Sequence, residues 1–535
     1  MRPAQLASVA VGVAALTLTA RIVGFGRSVV FSKTVGDTCL GDAYNAANLL
    51  PNVLFEIVAG GVLAGVVIPV VARHVGADRQ REAAETTSAL ITWTLLVLTP
   101  AALAAFVGAR AYAGVFAVST CPGAAATLAA LLVMFVPQVW LYGLAVVSAG
   151  VLQAHSRFLA AALAPLLSSV VVIAAYLTFG ALAKPAASSD VRQLSSSALA
   201  ALGWGTTAGV VALGLTTLVP LMRLGLRLRP RLRFATGDKD VVVRIAAAGV
   251  AGLVMQQLSL LLLSWAAQRS GDPGALTRLS WANAIYLLPF AVLVAPLLQI
   301  IFPRLSAAAG RSSAEVADVL RATAAPVVLL ASLGAALLAA TAVPVARVFV
   351  LGPGSGLTFA LAWPIVAFAP AVLGFGLLGL ASRALLACHL ARAAGVATVV
   401  AWGVVILAVL GLRLLVPPNW VVPALSAAVS LGMLAGAVTG WELVQRRIGR
   451  AGVALTRPLL VGVPVALVSG GAVAWPAVRL ADVGLLGAVG GAFGCALACL
   501  ALFVLLVGLL DRRLLRQVWS LRGARQPASS TEQRA

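Results

Sequence analysis

Two arginines and one glutamate lie inside apolar segments that are long enough to cross a lipid bilayer. Arg21 and Arg27 fall in the second half of segment 6–31, and Glu56 falls in segment 45–72. A charged side chain in hydrocarbon costs roughly 2.5 to 3.5 kcal/mol on insertion scales, so it usually faces a protein interior or a watery cavity. A guanidinium binds phosphate oxygens through a planar fork of donors. The sequence therefore predicts a cationic site for an anionic, phosphate-bearing ligand.

The spacing of the arginines limits how they can act together. They are six positions apart, which is about 120° around an α-helix, so they would line one broad face. Nearby polar side chains could add hydrogen bonds to a ligand, namely Ser28, Asn45, Asn48 and Asn52. The alternative is that Glu56 neutralises one arginine and the group only holds the first span against the second.

The composition is that of a membrane protein rather than of a soluble domain. Of the 535 residues, 61% are hydrophobic and only 10% are charged, and apolar runs recur along the chain. The first run is too long for a cleaved signal peptide, and its arginines lie in the wrong half. We therefore expect an all-α polytopic membrane protein with about fourteen transmembrane helices. They are placed at 6–31, 45–72, 88–109, 126–153, 157–180, 198–222, 242–266, 279–302, 323–346, 358–382, 394–416, 420–443, 459–475 and 484–510.

The net charge of +22 is best interpreted loop by loop. With these spans both termini lie on one side of the membrane, and most lysines and arginines lie on that side as well. The largest basic groups follow the sixth, the twelfth and the last span, at 223–233, 446–450 and 512–534. This bias predicts cytoplasmic termini and contact with anionic membrane lipids, and it does not indicate a nucleic-acid site.

The chain contains a weak internal repeat. The sequence YLLP at 286–289 in the eighth span echoes LLP at 49–51 in the second. Six spans followed by six, with matching second members, are typical of a transporter built from two structural repeats. We expect an N-terminal lobe at 1–235, a C-terminal lobe at 236–450, a final helix pair at 451–510, and a basic, partly disordered tail at 511–535.

The other chemistry-bearing residues indicate few further sites. Cys39 and Cys121 fall in the first and second outward loops, where an oxidising compartment would let them form a disulfide; the alternative is two free thiols. The sequence has no phosphate-binding glycine loop, nucleophile, metal motif or carboxylate pair of the kind that hydrolysis needs. We therefore expect neither an enzyme nor a bound cofactor or metal.

Several stretches are similar to one family of membrane transporters. They read TARIVGFGR at 19–27, GDAY at 41–44, LPN at 50–52, IP at 68–69 and LQAHSRF at 152–158. Through them the chain resembles the MurJ/MviN family of lipid II flippases. The resemblance implies the multidrug/oligosaccharidyl-lipid/polysaccharide (MOP) exporter fold, with two six-helix lobes facing a cationic cavity and a groove for a polyprenyl tail on the last two helices. It also implies that Arg21 and Arg27 contact the diphosphate-sugar headgroup and that Asp42 lies near the outer gate.

The chain departs from this family pattern at charged positions. Phe55 and Glu56 stand where the family usually has an arginine pair in the second span, and Gly60 stands in place of an acid. In the eighth span Asn283 and Ala284 stand where the family has Asp-Arg. Spans seven and eleven carry no carboxylate for the sodium site that the resemblance implies. We therefore expect a cavity with less positive charge than the family pattern has.

The resemblance implies a flippase that moves lipid II, an undecaprenyl-diphosphate-linked glycan, from the inner to the outer leaflet by alternating access during cell-wall biogenesis. Arg21 and Arg27 are expected to hold the diphosphate. The expected cavity or gate residues are Asp42, Asn48, Asn52, Glu56 and Asn283.

Other functions fit parts of the same pattern. They are a flippase for another polyprenyl-linked saccharide, a drug or cation antiporter of the MATE type, and a non-transporting scaffold for cell-wall assembly. The expected location is a bacterial plasma membrane with both termini cytoplasmic. The expected partners are the glycolipid, membrane lipids and cell-wall synthesis proteins, and the expected oligomeric state is a monomer.

Overall fold

The computed structural model describes residues 3–57, 64–183, 190–234, 238–350, 355–449 and 453–523. These residues are almost entirely helical, and the described part of the chain contains no β-strand. The predicted all-α class is therefore confirmed. The described helices are α1 (Pro3–Thr34), α2 (Cys39–Phe55), α3 (Ala64–Gly76), α4 (Gln80–Val107), α5 (Ala109–Phe116), α6 (Ala124–Ala154), α7 (Phe158–Leu182), α8 (Ser196–Met222), α9 (Asp238–Gln268), α10 (Ala275–Pro289), α11 (Ala295–Ala309), α12 (Ser313–Phe349), α13 (Ser355–Ala387), α14 (Ala391–Leu415), α15 (Val421–Ile448), α16 (Val453–Ala477), α17 (Leu485–Leu510) and α18 (Arg512–Gly523).

The helices identify a multi-pass membrane protein. Within the described residues, 11 helical stretches are long and apolar enough to cross a membrane. One of them, Ala275–Ala309, combines α10 and α11 with the π-helical segment Phe290–Val294 between them. The count of fourteen spans stays a prediction.

The predicted first outward loop at 32–44 is wrong at both ends. Helix α1 continues to Thr34 and α2 begins at Cys39, so only residues 35–38 connect them. The hydroxyl of Thr38 caps α2 by accepting a hydrogen bond from the backbone N–H of Gly41 at 3.2 Å. Pro51 consequently lies inside α2. Hydropathy missed the first turn because it contains Asp42, although its side chains are buried by tertiary packing.

Hydropathy also places some helix starts too late. Helix α4 begins at Gln80 where the prediction had 88, and α12 begins at Ser313 where the prediction had 323. The additional turns carry charged side chains that pair along the helix, as Arg81 and Glu85 do. An apolar window therefore detects only the part of each helix that is suited to hydrocarbon.

The chain divides into two compact units. Unit 1 contains α1 to α9 and the start of α10, and unit 2 contains most of the later helices. The predicted lobe boundaries at 235, 450 and 510 stay a prediction. Unit 1 comprises Met1–Trp281, Phe349–Gly352 and Val409–Leu425, and unit 2 comprises Ala282–Val348, Pro353–Ala408 and Ser426–Ala535.

The core of unit 1 lies where α6, α7 and α8 pack together, with α1 on α7 and α2 on α6. Phe135 and Phe179 are fully buried there. The ring of Tyr44 on α2 lies 5.1 Å from that of Phe31, 5.5 Å from that of Phe135 and 5.9 Å from that of Tyr176, measured between centroids. This aromatic cluster fixes the positions of α1 and α2, which carry the predicted site residues.

In unit 2 a buried apolar cluster joins α12 to α16 and α17. Leu333, Val465 and Phe503 belong to it. The opposite sides of α16 and α17 expose large apolar residues, including Leu467 and Leu486. This helix pair therefore has a surface suited to lipid.

Candidate functional site

The two arginines of the predicted cationic site lie on α1. Arg21 is exposed and Arg27 is half-buried. Arg27 lies close enough to Tyr44, Tyr142 and Tyr176 for its charge to act on their hydroxyl groups. Among the described residues, no acidic side chain forms an ion pair with either arginine. Within the described residues, neither guanidinium group therefore has a carboxylate that would compete with a bound anion.

Hydrogen bonds hold the tyrosines near Arg27 in place. The hydroxyl of Tyr44 hydrogen-bonds to the hydroxyl of Tyr176 at 2.8 Å and to Oγ1 of Thr206 at 3.0 Å. All three residues are buried. Because buried polar groups are strongly held by their partners, these bonds fix α2 against α7 and α8.

A row of polar side chains runs along one face of α2 at helical spacing, and its members are Asn45, Asn48, Asn52 and Glu56. The side-chain amide of Asn45 donates to the carbonyl of Gly41 at 2.9 Å and to Oγ1 of Thr277 at 3.0 Å. The Oδ1 atom of Asn48 is buried and has no hydrogen-bond partner among the described residues. Asn52 is half-buried and Glu56 is exposed. Asn48 therefore keeps an unused acceptor on α2.

The end of α2 does not show the alternative arrangement in which Glu56 neutralises an arginine. In the described part of the chain, Glu56 forms no ion pair with Arg21 or Arg27. The preceding Phe55 packs against Tyr142, with 4.7 Å between the ring centroids. An aromatic contact thus occupies the position where the resemblance implied an arginine.

Asp42 joins the start of α2 to the start of α10. Its fully buried carboxylate accepts hydrogen bonds from the backbone N–H groups of Gly274 at 2.8 Å and Thr277 at 2.9 Å. The hydroxyl of Thr277 donates a third bond at 2.8 Å, and Gln268 donates to the carbonyl of Asp42 at 3.3 Å. The carboxylate thereby satisfies free N–H groups at the N-terminus of α10, where the helix dipole favours negative charge. We call these four residues the Asp42 junction.

A buried ion pair supports the Asp42 junction. Arg278 is only 3% exposed, and it donates to Asp37 at 3.2 Å and also to Asp272. Sequence reasoning missed Thr277 and Arg278 as site residues. The available signal was the GDPG turn at 271–274, which marks a helix start. Nothing in the spacing linked that turn to Asp42.

Two glycines allow the backbones to approach at the Asp42 junction. A Cβ atom at Gly41 would lie 2.2 Å from the carbonyl oxygen of Gly36, and a Cβ atom at Gly274 would lie 2.3 Å from that of Asp37. Gly274 also has a φ of +85°, a conformation that favours glycine. A larger residue at either position would therefore push the helix starts apart.

A disulfide lies at the same end of unit 1. Cys39 begins α2 and Cys121 lies between α5 and α6, and the structure joins them with 5.8 Å between their Cα atoms. The neighbouring hydroxyl of Thr120 donates to the carbonyl of Gly271 at 3.1 Å. The α5–α6 connection thus contacts both helix starts of the Asp42 junction.

Most of the chain matches a known protein family. The family model described as lipid II flippase MurJ matches residues 31–515. The chain belongs to the MurJ family. The family resemblance found in the motifs is therefore confirmed.

Curated MurJ proteins are distant relatives of this chain. It is 28% identical over 306 residues to a probable lipid II flippase MurJ of Rhizobium meliloti, which covers 55% of this chain and 53% of that protein. It is also 28% identical over 310 residues to the lipid II flippase MurJ of Burkholderia cenocepacia. That aligned region covers 55% of this chain and 56% of the Burkholderia protein. The chain spans about half the length of the curated relatives it matches.

Solved structures show the MurJ-type fold over a longer part of the chain. A lipid II flippase MurJ in an inward closed conformation has a TM-score of 0.73 at 15% identity, covering 95% of this chain and 100% of that one. A MATE family multidrug resistance transporter of the MOP superfamily, in an inward-facing conformation, has a TM-score of 0.62 at 14% identity. The superposition covers 82% of this chain and 96% of the transporter. At these identities the similarity shows the fold alone. The chain thus shares the overall all-α fold of these two transporters.

Two further expectations from the MurJ resemblance concern charge in the C-terminal part. Asn283 is half-buried on α10, and Ala284 beside it is exposed. The described side chains of α9 and α14 include no carboxylate. Among the described residues, no group of three His, Cys, Asp or Glu side chains is arranged to hold a metal ion.

Proposed function

We propose that the protein is a flippase that moves a polyprenyl-diphosphate-linked glycan, with lipid II as the first candidate, from the inner to the outer leaflet of a bacterial plasma membrane. Membership of the MurJ family supports this proposal. The observation that carries it is the pair of α1 arginines without an acidic partner among the described residues. Two guanidinium groups match the charge and the oxygen geometry of a diphosphate.

In this proposal Arg21 and Arg27 hold the diphosphate. Arg27 is half-buried beside the fixed tyrosines, so the protein sets its position, whereas the exposed Arg21 can reach an incoming headgroup. The free Oδ1 of Asn48 accepts a hydrogen bond from a sugar hydroxyl or amide. Asn52 contributes a further polar contact, and the polyprenyl tail stays in the bilayer.

Release to the outer leaflet requires the Asp42 junction to open. Hydrogen bonds to a charged group contribute about 1.5 to 3 kcal/mol each, so the three bonds to this carboxylate stabilise the closed state. Glycolipid shifts the balance only if it binds the open state more tightly. In this proposal the headgroup contacts at α1 form while the Asp42 junction is closed. They are lost when the junction opens toward the outer leaflet.

Growth rescue tests this proposal. The intact chain should restore growth to a bacterium whose own lipid II flippase is being depleted, and an Arg21→Ala/Arg27→Ala variant at equal membrane level should not. Arg27→Lys should also lose most of the rescue, because lysine lacks the planar fork. Arg321→Lys is the matched control, since Arg321 lies exposed on α12. Rescue by the double variant, or equal tolerance of the two lysine changes, would contradict the assignment.

A different polyprenyl-linked saccharide is the second candidate. The contact of Phe55 with Tyr142 and the exposed Glu56 favour it, because they leave less positive charge than the family pattern has. A chain that is well inserted would then fail to replace a lipid II flippase but would rescue a strain depleted of another glycolipid flippase. MATE-type antiport instead requires Glu56 as its intramembrane acid, so Glu56→Gln would abolish transport in that case alone.

The proposed orientation places both termini in the cytoplasm and the Asp42 junction at the outer face. A membrane-impermeant thiol reagent should then label a cysteine introduced into the tail 511–535 only after the cells are permeabilised. We propose a monomer that works with cell-wall synthesis proteins. Labelling of that tail in intact cells would overturn this orientation.

A further inference from the structure

The connection after α8 alternates arginines with apolar residues. Residues 224–234 read LGLRLRPRLRF, and along 226–229 half-buried leucines alternate with exposed arginines. Leu226, Leu228 and Phe234 pack against the buried cluster that includes Val67 and Leu221. The intervening arginines therefore point away from this core.

Hydrogen bonds fix the segment along α4. The backbone N–H of Arg229 donates to Oγ of Ser88 at 3.2 Å, and that of Arg231 donates to Oγ1 of Thr92 at 3.0 Å. The indole N–H of Trp93 donates to the carbonyl of Leu232 at 3.0 Å. The backbone that carries these arginines is thus held without any ligand, which lowers the entropy cost of binding one.

A basic cavity of about 790 Å³ lies between this segment and the start of α4. Its charged lining consists of Arg81, Arg227, Arg229, Arg231 and Glu85. Glu85 is already paired, at 2.9 Å with Arg231 and at 3.2 Å with Arg81. Arg227 and Arg229 have no acidic partner among the described residues. The cavity therefore keeps a net positive charge and two guanidinium groups available to an anion.

An apolar cavity of about 730 Å³ adjoins the basic one. Ser88 and Arg229 line both cavities, and Leu95, Leu96 and Met222 are among the apolar residues that line the second. Leu96 and Met222 are exposed on the sides of membrane-spanning helices. A free phosphate would occupy only the basic cavity. A phospholipid would fill both, with its charged headgroup in the basic cavity and an acyl chain in the apolar one.

We propose that the two cavities form one binding site for an anionic glycerophospholipid, with its phosphate on Arg227 and Arg229 and one acyl chain along α4 beside Leu95 and Leu96. The site is separate from the α1 arginines, and the proposal does not depend on which substrate the protein moves. On the proposed orientation it faces the inner leaflet, whose anionic lipids attract basic groups.

Lipid binding to the full chain tests the proposal. Phosphatidylglycerol and phosphatidylcholine are added separately to delipidated protein in detergent, and bound lipid is counted by native mass spectrometry. Phosphatidylglycerol should bind more tightly, and Arg227→Gln/Arg229→Gln should weaken its binding by at least about tenfold. The control Arg311→Gln/Arg321→Gln removes the same charge from exposed positions on the same proposed side and should leave binding unchanged.

The apolar cavity supplies the second half of the test. Leu96→Trp fills it from an exposed position, so phosphatidylglycerol should bind more weakly while thermal unfolding in phosphatidylcholine stays as in the parent. Inorganic phosphate should not displace the lipid. Full displacement by phosphate together with no effect of Leu96→Trp would show an anion site alone and overturn the proposal. An equal loss in the Arg311/Arg321 control, or equal binding of the two lipids, would overturn it as well.

Discussion

Asp42 accepts hydrogen bonds from both the backbone N–H and the hydroxyl of Thr277, a residue 235 positions later in the chain. The second carboxylate oxygen of Asp42 accepts from the N–H of Gly274. Both oxygens of one buried side chain are therefore needed to hold the start of α2 against the start of α10. The charge and the symmetry of a carboxylate both matter at this position.

Asp42→Asn should weaken the Asp42 junction, because an amide keeps one acceptor oxygen and turns its own donors toward an N–H group. A cysteine introduced at the buried Ala275, with the three free cysteines changed to serine, should then react with maleimide at least about tenfold faster, since each lost bond to a charged group contributes about 1.5 to 3 kcal/mol. Asp190→Asn removes an exposed carboxylate of the same unit and should leave the rate unchanged. An unchanged rate in Asp42→Asn would exclude a role for this residue in closing the junction.

Gly274→Ala should destabilise the protein more than Gly271→Ala. Both glycines have positive φ angles, +85° and +77°, so each alanine carries a similar backbone cost of about 1 to 2 kcal/mol. At Gly274 the new Cβ would also lie 2.3 Å from the carbonyl oxygen of Asp37, whereas at Gly271 the nearest atom is 3.8 Å away. Thermal unfolding of the two variants in detergent measures the difference. Equal melting temperatures would show that the close approach at Gly274 is not stabilising.

Breaking the Cys39–Cys121 disulfide should lower thermal stability. The bond closes a loop with a sequence separation of 82 residues, and removing a native disulfide typically costs about 2 to 5 kcal/mol. Cys39→Ser, Cys121→Ser and the double variant should show the same loss, since any of them breaks one bond. Reductant should lower the melting temperature of the parent and not that of the variants. Cys388→Ser, at a free cysteine, is the control and should have little effect.

The pH dependence of stability should have opposite signs at Asp37 and Asp190. Burial raises the pKa of Asp37 above its ordinary value of 3.8, although Arg278 partly opposes this. The folded state then binds the proton more tightly than the unfolded state, so this group's contribution is most favourable below pH 3.8 and declines as the pH rises through the raised pKa. Comparison of the melting temperatures of the parent and Asp37→Asn across this range measures the effect.

Asp190 supplies the comparison in the opposite direction. The hydrogen bond from Arg192 lowers the pKa of Asp190, so its contribution is present above pH 3.8 and is lost as the pH falls through the lowered value. Asp190→Asn should therefore remove a small stabilisation at neutral pH. If the two asparagine variants change the pH profile with the same sign, the burial of Asp37 does not control its titration.

The sequence by itself determined where most of this chain meets lipid and where its unusual charges lie. Partition into hydrocarbon depends on local composition, so hydropathy located the apolar helices, and the motif around Arg21 and Arg27 carried the family. Hydropathy did not locate helix ends such as Cys39 and Gln80. The polar or charged turn at such an end is stabilised by capping, ion pairing and burial, which hydropathy does not measure.

Only the tertiary structure decided which polar groups meet. Nothing local to Asp42 indicates that it pairs with Thr277, and nothing local to Arg227 and Arg229 indicates that they share a cavity with the start of α4. The same holds for Glu56, because the sequence left open whether it pairs with an arginine, and the described residues show no such pair. The physical reason is that a hydrogen bond or ion pair depends on distances of about 3 Å between remote segments, which packing sets and composition does not.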